Sequence, residues 1–474
     1  MSDKKDNYIS ASIETNQLYF DKMLKIEKNF DIVCRQIHIG GRKALMYYVN
    51  GFCKEDDVQK IMEYFMDITK EDMPKNAAEM LQDNLPYVDV SLCKEKQKLI
   101  TGILSGLLVL FIDGFSEGIM LDARSYPARS IDEPDKDKTL RGSKDGFVET
   151  LIVNTAMIRR RIRDNDLTVE IYQVGEASKT DVSFVYMEKR VNKKLLERLK
   201  TKINEMKTDA LTMGHQSLAE CLYGKNWFNP FPKFRYTQRP DTATAQILEG
   251  NIVILVDNSP QAMILPTSLF DILEEADDYY FPPITGTYLR CVKSFIGIVS
   301  FFITPLYLLI TMHPEWMPQT FSFVLLKETA NIPVIWQFLI LEIALDGLRL
   351  AAVNTSNLLS TPLSIMAALI VGDFSVSSGW FNSEVMLYMA FVAIANYTQT
   401  NYELSYAIKF MRILTLILTQ FFGVWGLLIG TLICIVEMAT NQTVGGNAYL
   451  YPLIPLHPKK LWKRLIRNNK IHLS

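Results

Sequence analysis

The sequence predicts an α+β cytosolic region of two similar α/β subdomains, followed by an all-α polytopic membrane domain. Charged residues are dense up to about Tyr280, sparse from Phe295 to Val436 and dense again in the tail. Strand-like runs in the first half recur at a constant offset, which indicates an internal duplication. Apolar runs in the second half are long enough to enter or cross a bilayer.

The clearest part of the duplication is a pair of apolar runs. Leu104–Asp113 is followed by a turn and Gly118–Leu121, and Leu248–Asp257 is followed by a turn and Ala262–Leu265. The two stretches align at an offset of 144 positions, as from Leu104 to Leu248. Each predicts a β-hairpin, because a β-branched run, a turn with Asp, Gly, Asn or Pro and a second apolar run occur in that order.

Earlier elements match in the same order, namely strand, glycine turn, strand and helix. In the first copy they are Asp31–Gly41, Ala44–Gly51 and a helix near Glu55–Phe65. In the second copy they are Thr168–Gly175, Val182–Met187 and a helix near Lys193–Met206.

The repeat and the charge pattern divide the chain into six segments. They are a polar N-terminal segment (1–29), subdomain 1 (30–125), a linker loop and helix (126–164), subdomain 2 (165–280), a helical transmembrane domain (290–440) and a basic cytoplasmic tail (441–474).

Composition and charge exclude several classes of protein. Of 474 residues, 49% are hydrophobic and 22% charged, and a formal net charge of -2 argues against a general nucleic-acid binder. None of the six cysteines lies in a CxxC pair, which predicts no disulfide framework and suits a reducing cytosol. The polar N-terminus lacks an apolar signal region, so we expect the first 280 residues to stay in the cytoplasm.

The sequence predicts no enzyme, cofactor or metal site. Gly114–Gly118 fits GxSxG, but the following Ile119–Leu121 is typical of a returning strand rather than the helix that a hydrolase elbow requires. Gly175–Thr180 resembles the end of a P-loop but lacks the Gly before its Lys, which favours a turn. The five histidines show no metal-ligand spacing.

The linker contains a proline-rich loop and a predicted helix, Phe147–Arg163, that ends in a run of arginines at 159–161 and 163. We interpret the arginines as a solvated last turn that complements the helix dipole. The alternative is a docking patch for an acidic neighbour or for lipid headgroups.

Five apolar runs predict the membrane helices. They are Phe295–Met312, Ile332–Val353, the shorter Pro362–Val371 and Val385–Ala395, and Ile413–Val436. The first spans about 27 Å at 1.5 Å per residue, near the hydrocarbon thickness, and the last is long enough to cross with some tilt. A basic tail predicts a cytoplasmic end and hence an even number of crossings. Either one short run does not cross, or a span exists near Phe321–Leu326.

The second span carries three charged residues, Glu342, Asp346 and Arg349, within roughly 60° around a helix. Because a charge at the bilayer centre costs on the order of 2.5–3.5 kcal/mol, we predict that they form a pore wall or an intramembrane polar seam. Asp346 can pair with Arg349, which leaves Glu342 as an unpaired acid favouring cations; alternatively Glu342 meets Lys409 or Arg412. Glycines permit close helix contact, and here they are Gly423, Gly426 and Gly430.

Three dispersed motifs resemble the GerA spore germination family, A-subunit type. They are Arg129-Ser-Ile-Asp-Glu-Pro134, Arg141-Gly-Ser-Lys-Asp-Gly-Phe147-Val-Glu149 with the helix that follows, and Tyr449-Leu-Tyr-Pro452 near the end. Candidate assembly or gating residues carried by the resemblance are Arg129, Asp132, Glu133, Pro134, Arg141, Asp145, Gly146 and Glu149. Nutrient-receptor members usually have Pro where Ser143 stands, which argues against direct nutrient sensing.

The resemblance implies a homo-oligomeric ion channel in the inner spore membrane that releases cations from the spore core beside a transporter-like B-type subunit. Two other functions stay open. One is a non-conducting membrane scaffold that organises germination proteins. The other is a secondary transporter, which no inverted repeat among the spans supports.

Overall fold

The computed structural model describes residues 7–82, 89–126, 139, 141–223, 228–327, 330–354, 375–399, 401–441, 443–444 and 448–466. The chain divides into two compact units. The two-sheet unit comprises Met1–Lys225 with Phe234–Pro266, and the helical unit comprises Asn226–Lys233 with Thr267–Ser474. Each unit is described by itself.

The two-sheet unit alternates helices with strands. Its helices are α1 (Ile13–Leu24), α2 (Glu55–Met66), α3 (Ala77–Gln82), α4 (Lys96–Leu104), α5 (Leu151–Arg161), α6 (Lys193–Asn204), α7 (His215–Tyr223) and α8 (Pro240–Leu248). Its strands are β1 (Ile32–Ile39), β2 (Arg42–Val49), β3 (Val90–Cys93), β4 (Leu108–Ile112), β5 (Gly118–Leu121), β6 (Leu167–Val174), β7 (Thr180–Met187), β8 (Arg235–Thr237), β9 (Ile252–Val256) and β10 (Ala262–Leu265).

The strand orders of the two sheets confirm the predicted duplication. They are β1-β2-β4-β5-β3 and β6-β7-β9-β10-β8, which are the same order in the two copies. The hairpins β4-β5 and β9-β10 are antiparallel as predicted. Every residue of β4 and β9 is buried, as their unbroken apolar runs require. Ser116 lies in the turn between β4 and β5, so no hydrolase elbow forms there.

The repeat also includes the helix that precedes each sheet. The first amide of α1, at Ile13, donates to Asp113 Oδ1 at 3.2 Å, and that of α5, at Leu151, donates to Asp257 Oδ1 at 3.0 Å. Both aspartates directly follow the buried strand of their copy. A carboxylate at this position satisfies a helix N–H that has no partner within the helix.

A buried asparagine in each of these helices makes a second matched contact. The Asn16 side chain accepts from the Ser10 amide at 2.9 Å and donates to the Ser10 carbonyl at 2.7 Å. The Asn154 side chain does the same with Val148, at 2.8 and 2.5 Å. The asparagine contacts lie within the predicted N-terminal segment and linker, whereas those of Asp113 and Asp257 join these segments to the sheets. The segment boundaries remain predictions.

Arg159 of α5 corrects the interpretation of the arginine run. Its side chain is fully buried, with Nε 2.8 Å from Asp31 Oδ2 and Nη2 2.9 Å from Asp31 Oδ1. Its Nη1 donates to the Leu167 carbonyl at 3.2 Å, at the start of β6. Arg159 thus binds the residue before β1 to the first strand of the other sheet. The predicted solvated turn holds for Arg163, which is exposed, and is wrong for Arg159.

An exposed contact between the repeats accompanies this buried one. Glu188, which follows β7, lies 2.6 Å from Lys25 Nζ and 2.9 Å from Lys28 Nζ. Hydrogen bonds from these two ammonium groups lower the pKa of the Glu188 carboxyl to about 2. The stabilisation is full above the ordinary glutamate pKa and is lost as the pH falls from there to the folded value of about 2.

The helical unit begins with short helices and continues with long apolar ones. Its helices are α9 (Leu269–Leu273), α10 (Asp277–Tyr280), α11 (Pro283–Met312), α12 (Val334–Asn354), α13 (Ser375–Ser377), α14 (Ser383–Thr398), α15 (Tyr402–Phe422), α16 (Val424–Thr440) and α17 (Pro458–Leu465). Among the described residues, α11 and α15 are long and apolar enough to span a membrane, and α16 is a shorter apolar helix.

Two membrane-span predictions are wrong. The single span predicted at Ile413–Val436 is two helices, α15 and α16, which turn back on each other at Gly423. Gly423 has φ 54° and ψ -129°, a conformation that L side chains rarely adopt. The span predicted near Phe321–Leu326 is a short 3-10 helix, Gln319–Val324. The run predicted at Pro362–Val371 lies outside the described residues.

The Arg159–Asp31 pair predicts a large effect on stability. Arg159→Met leaves the Asp31 carboxylate buried without its partner, which costs about 3–5 kcal/mol. We expect the free energy of opening of β1 and β6 to fall by this amount, measured by amide hydrogen exchange of the full chain in detergent. Arg163→Met, an exposed substitution four residues on, is the matched control and should change it by less than about 0.5 kcal/mol. Equal effects of the two substitutions would contradict this assignment.

Candidate functional site

The predicted intramembrane charges of α12 face α15. Glu342 is 2% exposed, and Arg412 of α15 is fully buried. Arg412 Nε donates to Glu342 Oε1 at 2.8 Å, and Arg412 Nη2 lies 2.6 Å from the same oxygen. The interpretation of Glu342 as an unpaired acid is therefore wrong, and its pairing with Arg412 is the alternative that the structure supports.

Lys409 completes the cluster one turn earlier on α15. Its Nζ donates to the Glu342 carbonyl at 3.0 Å, lies 3.4 Å from Glu342 Oε2 and forms an ion pair with Asp346. Glu342 and Asp346 are four residues apart on one helix, and Lys409 and Arg412 are three apart on the other, so each pair lies on one face. Two acids and two bases leave the cluster without net charge.

Arg349 does not pair with Asp346, which corrects the prediction of an ion pair within α12. Its guanidinium instead lies over three tyrosine rings, 5.2 Å from the centroid of Tyr397, 5.5 Å from that of Tyr402 and 5.3 Å from that of Tyr406. Cation–π attraction of this kind contributes about 0.5–2 kcal/mol per contact. The signal in the sequence for this contact is the group of three tyrosines around the start of α15.

A third helix joins the cluster through its main chain. Arg412 Nη1 donates to the Ser300 carbonyl of α11 at 3.2 Å. A main-chain carbonyl that accepts from a distant arginine has no sequence signature, and this contact is not among the predictions. The cluster therefore binds α11, α12 and α15 together in an apolar surrounding, where each unpaired charge would be costly.

The chemistry of this site is that of a closed ion network. Each acid has a basic partner, although Glu342 Oε2 accepts no hydrogen bond and the Asp346 side chain is 38% exposed. Among the described residues, no group of three or more His, Cys, Asp and Glu side chains is arranged to hold a metal ion. Glu342 and Asp346 thus take part in a network of ion pairs, and their role as a pore wall or a polar seam stays a prediction.

The glycines predicted to allow helix packing lie in the hairpin of α15 and α16. A Cβ added to Gly426 would lie 1.9 Å from the Leu418 carbonyl oxygen, and one added to Gly430 would lie 2.8 Å from Thr415 Cα. Both positions therefore accept only hydrogen at this separation of the helices. Gly423 forms the turn itself and has nothing within 4 Å of the added Cβ.

Half of the motif carried by the resemblance can be placed. Arg129, Asp132, Glu133 and Pro134 lie outside the described residues. Arg141 is exposed, Gly146 is buried, and the Glu149 carbonyl accepts from the Asn258 amide at 2.9 Å.

Asp145 is the centre of the placed part of the motif. Arg161 Nη2 of α5 donates to its two carboxylate oxygens at 2.7 and 2.6 Å, and to Ser143 Oγ at 3.0 Å. The Ser143 carbonyl in turn accepts from Arg239 Nη2 at 2.8 Å. Burial opposes the charged form of Asp145, but the hydrogen bonds from Arg161 and Ser143 outweigh it and hold the pKa of this carboxyl below its usual range. The motif thus fastens the loop before α5 to α5 and α8.

Similarity to known proteins defines the class to which this chain belongs. The family described as Bacillus/Clostridium GerA spore germination protein matches residues 20–473, so the chain belongs to the GerA spore germination family. Among its relatives, stage V sporulation protein AF of Bacillus subtilis strain 168 is 36% identical, over 96% of this chain and 92% of that protein. Spore germination protein KA of the same organism is 26% identical, over 97% of this chain and 85% of that protein.

A solved structure also resembles part of the chain. It is the N-terminal domain of the A subunit of the Bacillus megaterium spore germinant receptor GerK3, which is 24% identical. The match has a TM-score of 0.42 and covers 54% of this chain and 95% of that domain.

The Asp145–Arg161 pair predicts a pH dependence of stability. Because the folded state lowers the pKa of Asp145, its contribution is full above the unfolded value of about 3.9 and is lost as the pH falls through the folded value. Asp145→Asn should therefore be less stable than the wild type at pH 7, and the difference should shrink as the pH falls below about 4. Hydrogen exchange of α5 amides between pH 7 and pH 3 measures this difference in stability between the variant and the wild type.

Glu149→Gln is the control for Asp145, since Glu149 contributes its main-chain carbonyl, and it should keep the wild-type profile. A difference between Asp145→Asn and wild type that is constant with pH would refute the charge-based account.

The helical hairpin predicts a contrast between two glycines. Gly426→Ala places a methyl group against the Leu418 backbone, so the α15–α16 contact must open at a cost of about 1–3 kcal/mol. Gly347→Ala in α12, where an added Cβ meets nothing within 4 Å, is the control and should be neutral or stabilising. Thermal unfolding of the purified full chain in detergent measures both. Equal melting temperatures of the two variants would contradict the packing role.

Proposed function

We propose that this chain is a non-enzymatic membrane subunit of a spore germination complex in the inner spore membrane. The observation that carries the proposal is the cluster of buried Glu342, Lys409 and Arg412 with the partly exposed Asp346, between apolar helices of a GerA-family chain. Helices of this length and apolarity are suited to a bilayer, and ionisable groups at such depth survive only when paired. The relatives named for sporulation and germination support the biological setting.

In this proposal the two-sheet unit and the basic tail lie on the cytoplasmic side. The tail sequence from Lys459 to Arg464 is rich in Lys and Arg and close to the last apolar helix, which the positive-inside rule favours on that side. The predicted subdomains 30–125 and 165–280 then assemble or gate the complex, with Arg141, Asp145, Gly146 and Glu149 fastening the helix between the sheets.

The activity that we propose is conduction of cations by an oligomer of this chain beside a transporter-like B-type subunit. The closed cluster serves this activity as a rigid clasp of α11, α12 and α15, which keeps the helices in register around a conduit. Charges in a dry environment hold their partners strongly, so the three helices move as one body.

The second candidate is a non-conducting scaffold for other germination proteins. The ion pairs of Glu342 with Arg412 and Lys409 favour it, because an acid between two bases attracts a cation weakly. The two candidates differ in whether the assembled wild-type chain carries an ion current.

The test is current through liposomes that contain the purified chain, alone and with a B-type subunit. Glu342→Gln leaves the cluster with one excess positive charge, which opposes cations at that depth. If the chain conducts, we expect cation flux to fall at least about tenfold, since 1.4 kcal/mol of added barrier suffices. Glu315→Gln, an exposed acid after α11, is the control and should leave flux unchanged.

Assembly of each variant is followed separately by cross-linking in the membrane. Absence of current from the wild type with its partner present would overturn conduction and leave the scaffold. Normal current from a well-assembled Glu342→Gln variant would remove the cluster from the conducting pathway.

A further inference from the structure

The C-terminal helix α17 is amphipathic and lies beside the start of α11. A helix of 3.6 residues per turn places Leu461 and Trp462 on one side and Lys459, Lys460 and Arg464 on the other. Trp462 is 63% exposed. The segment before the helix adds three exposed apolar side chains, those of Leu453, Ile454 and Leu456.

Arg464 fastens this helix to the rest of the helical unit. Its Nη1 lies 2.7 Å from Asp271 Oδ1 and 3.2 Å from Glu274 Oε1, and both acids belong to α9 or its end. The Arg464 carbonyl accepts from Arg290 Nη1 of α11 at 3.0 Å. Arg290 also lies 3.2 Å from the buried Asp278, so side-chain charge and main chain together set the position of α17.

The contact with Arg290 sets α17 at the depth of lipid headgroups. Arg290 precedes Phe295, where the apolar run of α11 begins, by five residues, or about 7 Å along the helix. The headgroup region on each side of a bilayer is about 5–7 Å thick. If α11 crosses the bilayer, α17 therefore lies at the bilayer surface.

Two lysines of this helix keep their charge uncompensated. The Arg464 charge is matched by Asp271 and Glu274, whereas neither Lys459 nor Lys460 forms an ion pair within the described part of the chain. Lys460 Nζ donates to the neutral Tyr451 hydroxyl at 2.7 Å, which leaves the charge in place. A surface with uncompensated cations beside exposed Trp and Leu is complementary to anionic headgroups over acyl chains.

We propose that residues 453–462 form a binding surface for anionic lipid. Lys459 and Lys460 bind headgroup phosphates, and Trp462 and Leu456 enter the boundary with the acyl chains. Through Arg464 the same helix is coupled to α9 and α11, so the lipid charge at the surface stabilises the base of the first membrane helix. The inference rests on the membrane placement proposed above and goes beyond it in assigning a lipid class and the residues that bind it.

Each surface lysine contributes about 1 kcal/mol to binding of an anionic leaflet, so the pair corresponds to about a thirtyfold change in the equilibrium. The effect weakens with salt, because the Debye length falls from about 10 Å at 0.1 M to about 3 Å at 1 M.

The experiment compares the full chain in two kinds of nanodisc, one of phosphatidylcholine and one containing three parts in ten of phosphatidylglycerol. Amide hydrogen exchange of residues 453–466 is the measurement. We expect exchange to be about thirtyfold slower in the anionic nanodiscs at low salt, with the protection lost at about 1 M salt.

Lys459→Gln with Lys460→Gln should abolish this difference. The matched control is Lys193→Gln with Lys194→Gln, two adjacent exposed lysines at the start of α6, and it should retain the difference. Trp462→Ser should increase exchange in both kinds of nanodisc. Inorganic phosphate added to phosphatidylcholine nanodiscs should give no protection.

Equal exchange in the two nanodiscs, with the chain incorporated in both, would overturn the lipid surface and leave the proposed function standing. Protection by inorganic phosphate alone equal to that by the anionic lipid would also overturn it. A chain that incorporates into neither nanodisc would overturn the membrane placement and this inference together.

Discussion

The arrangement of the helical unit depends on the pairing of Glu342 with Arg412. A buried carboxylate and guanidinium lose their hydration, and mutual contact offsets part of that loss. Arg412 donates through Nε to Glu342 and through Nη1 to the Ser300 carbonyl. The pairing sets which faces of α12 and α15 meet, and it brings α11 to the same place.

The two-sheet unit also depends on a buried pair of opposite charges. Arg159 binds Asp31 with two hydrogen bonds and the Leu167 carbonyl with a third, and it joins the two copies of the duplicated fold. A duplication alone produces two sheets that need not touch. A buried guanidinium shared between them makes their relation specific, since any other arrangement leaves a charge without a partner.

The sequence predicted much of this architecture because local patterns carry it. Strand runs, hairpin turns and the repeat offset predicted the two sheets, whose topology matches in every strand. The hydrophobic pattern did not predict that one apolar stretch folds into two helices, because no polar residue stands next to Gly423 to mark the turn. It also failed for Arg159, because the burial of an arginine at a helix end depends on Asp31, 128 positions away.

The sequence by itself determined the duplicated hairpins, the apolar character of the second half and the charges within one of its helices, whereas the edge strands β3 and β8 emerge only in the fold. Tertiary structure alone decided the partners of those charges. Spacing within the helix offers Asp346 only Arg349, three residues on, whereas packing of α15 brings Lys409 against it. Propensity and hydrophobic periodicity act over a few residues, so they specify elements. Charge neutralisation in a dry interior acts through space, so residues far apart in the chain determine which charges lie together.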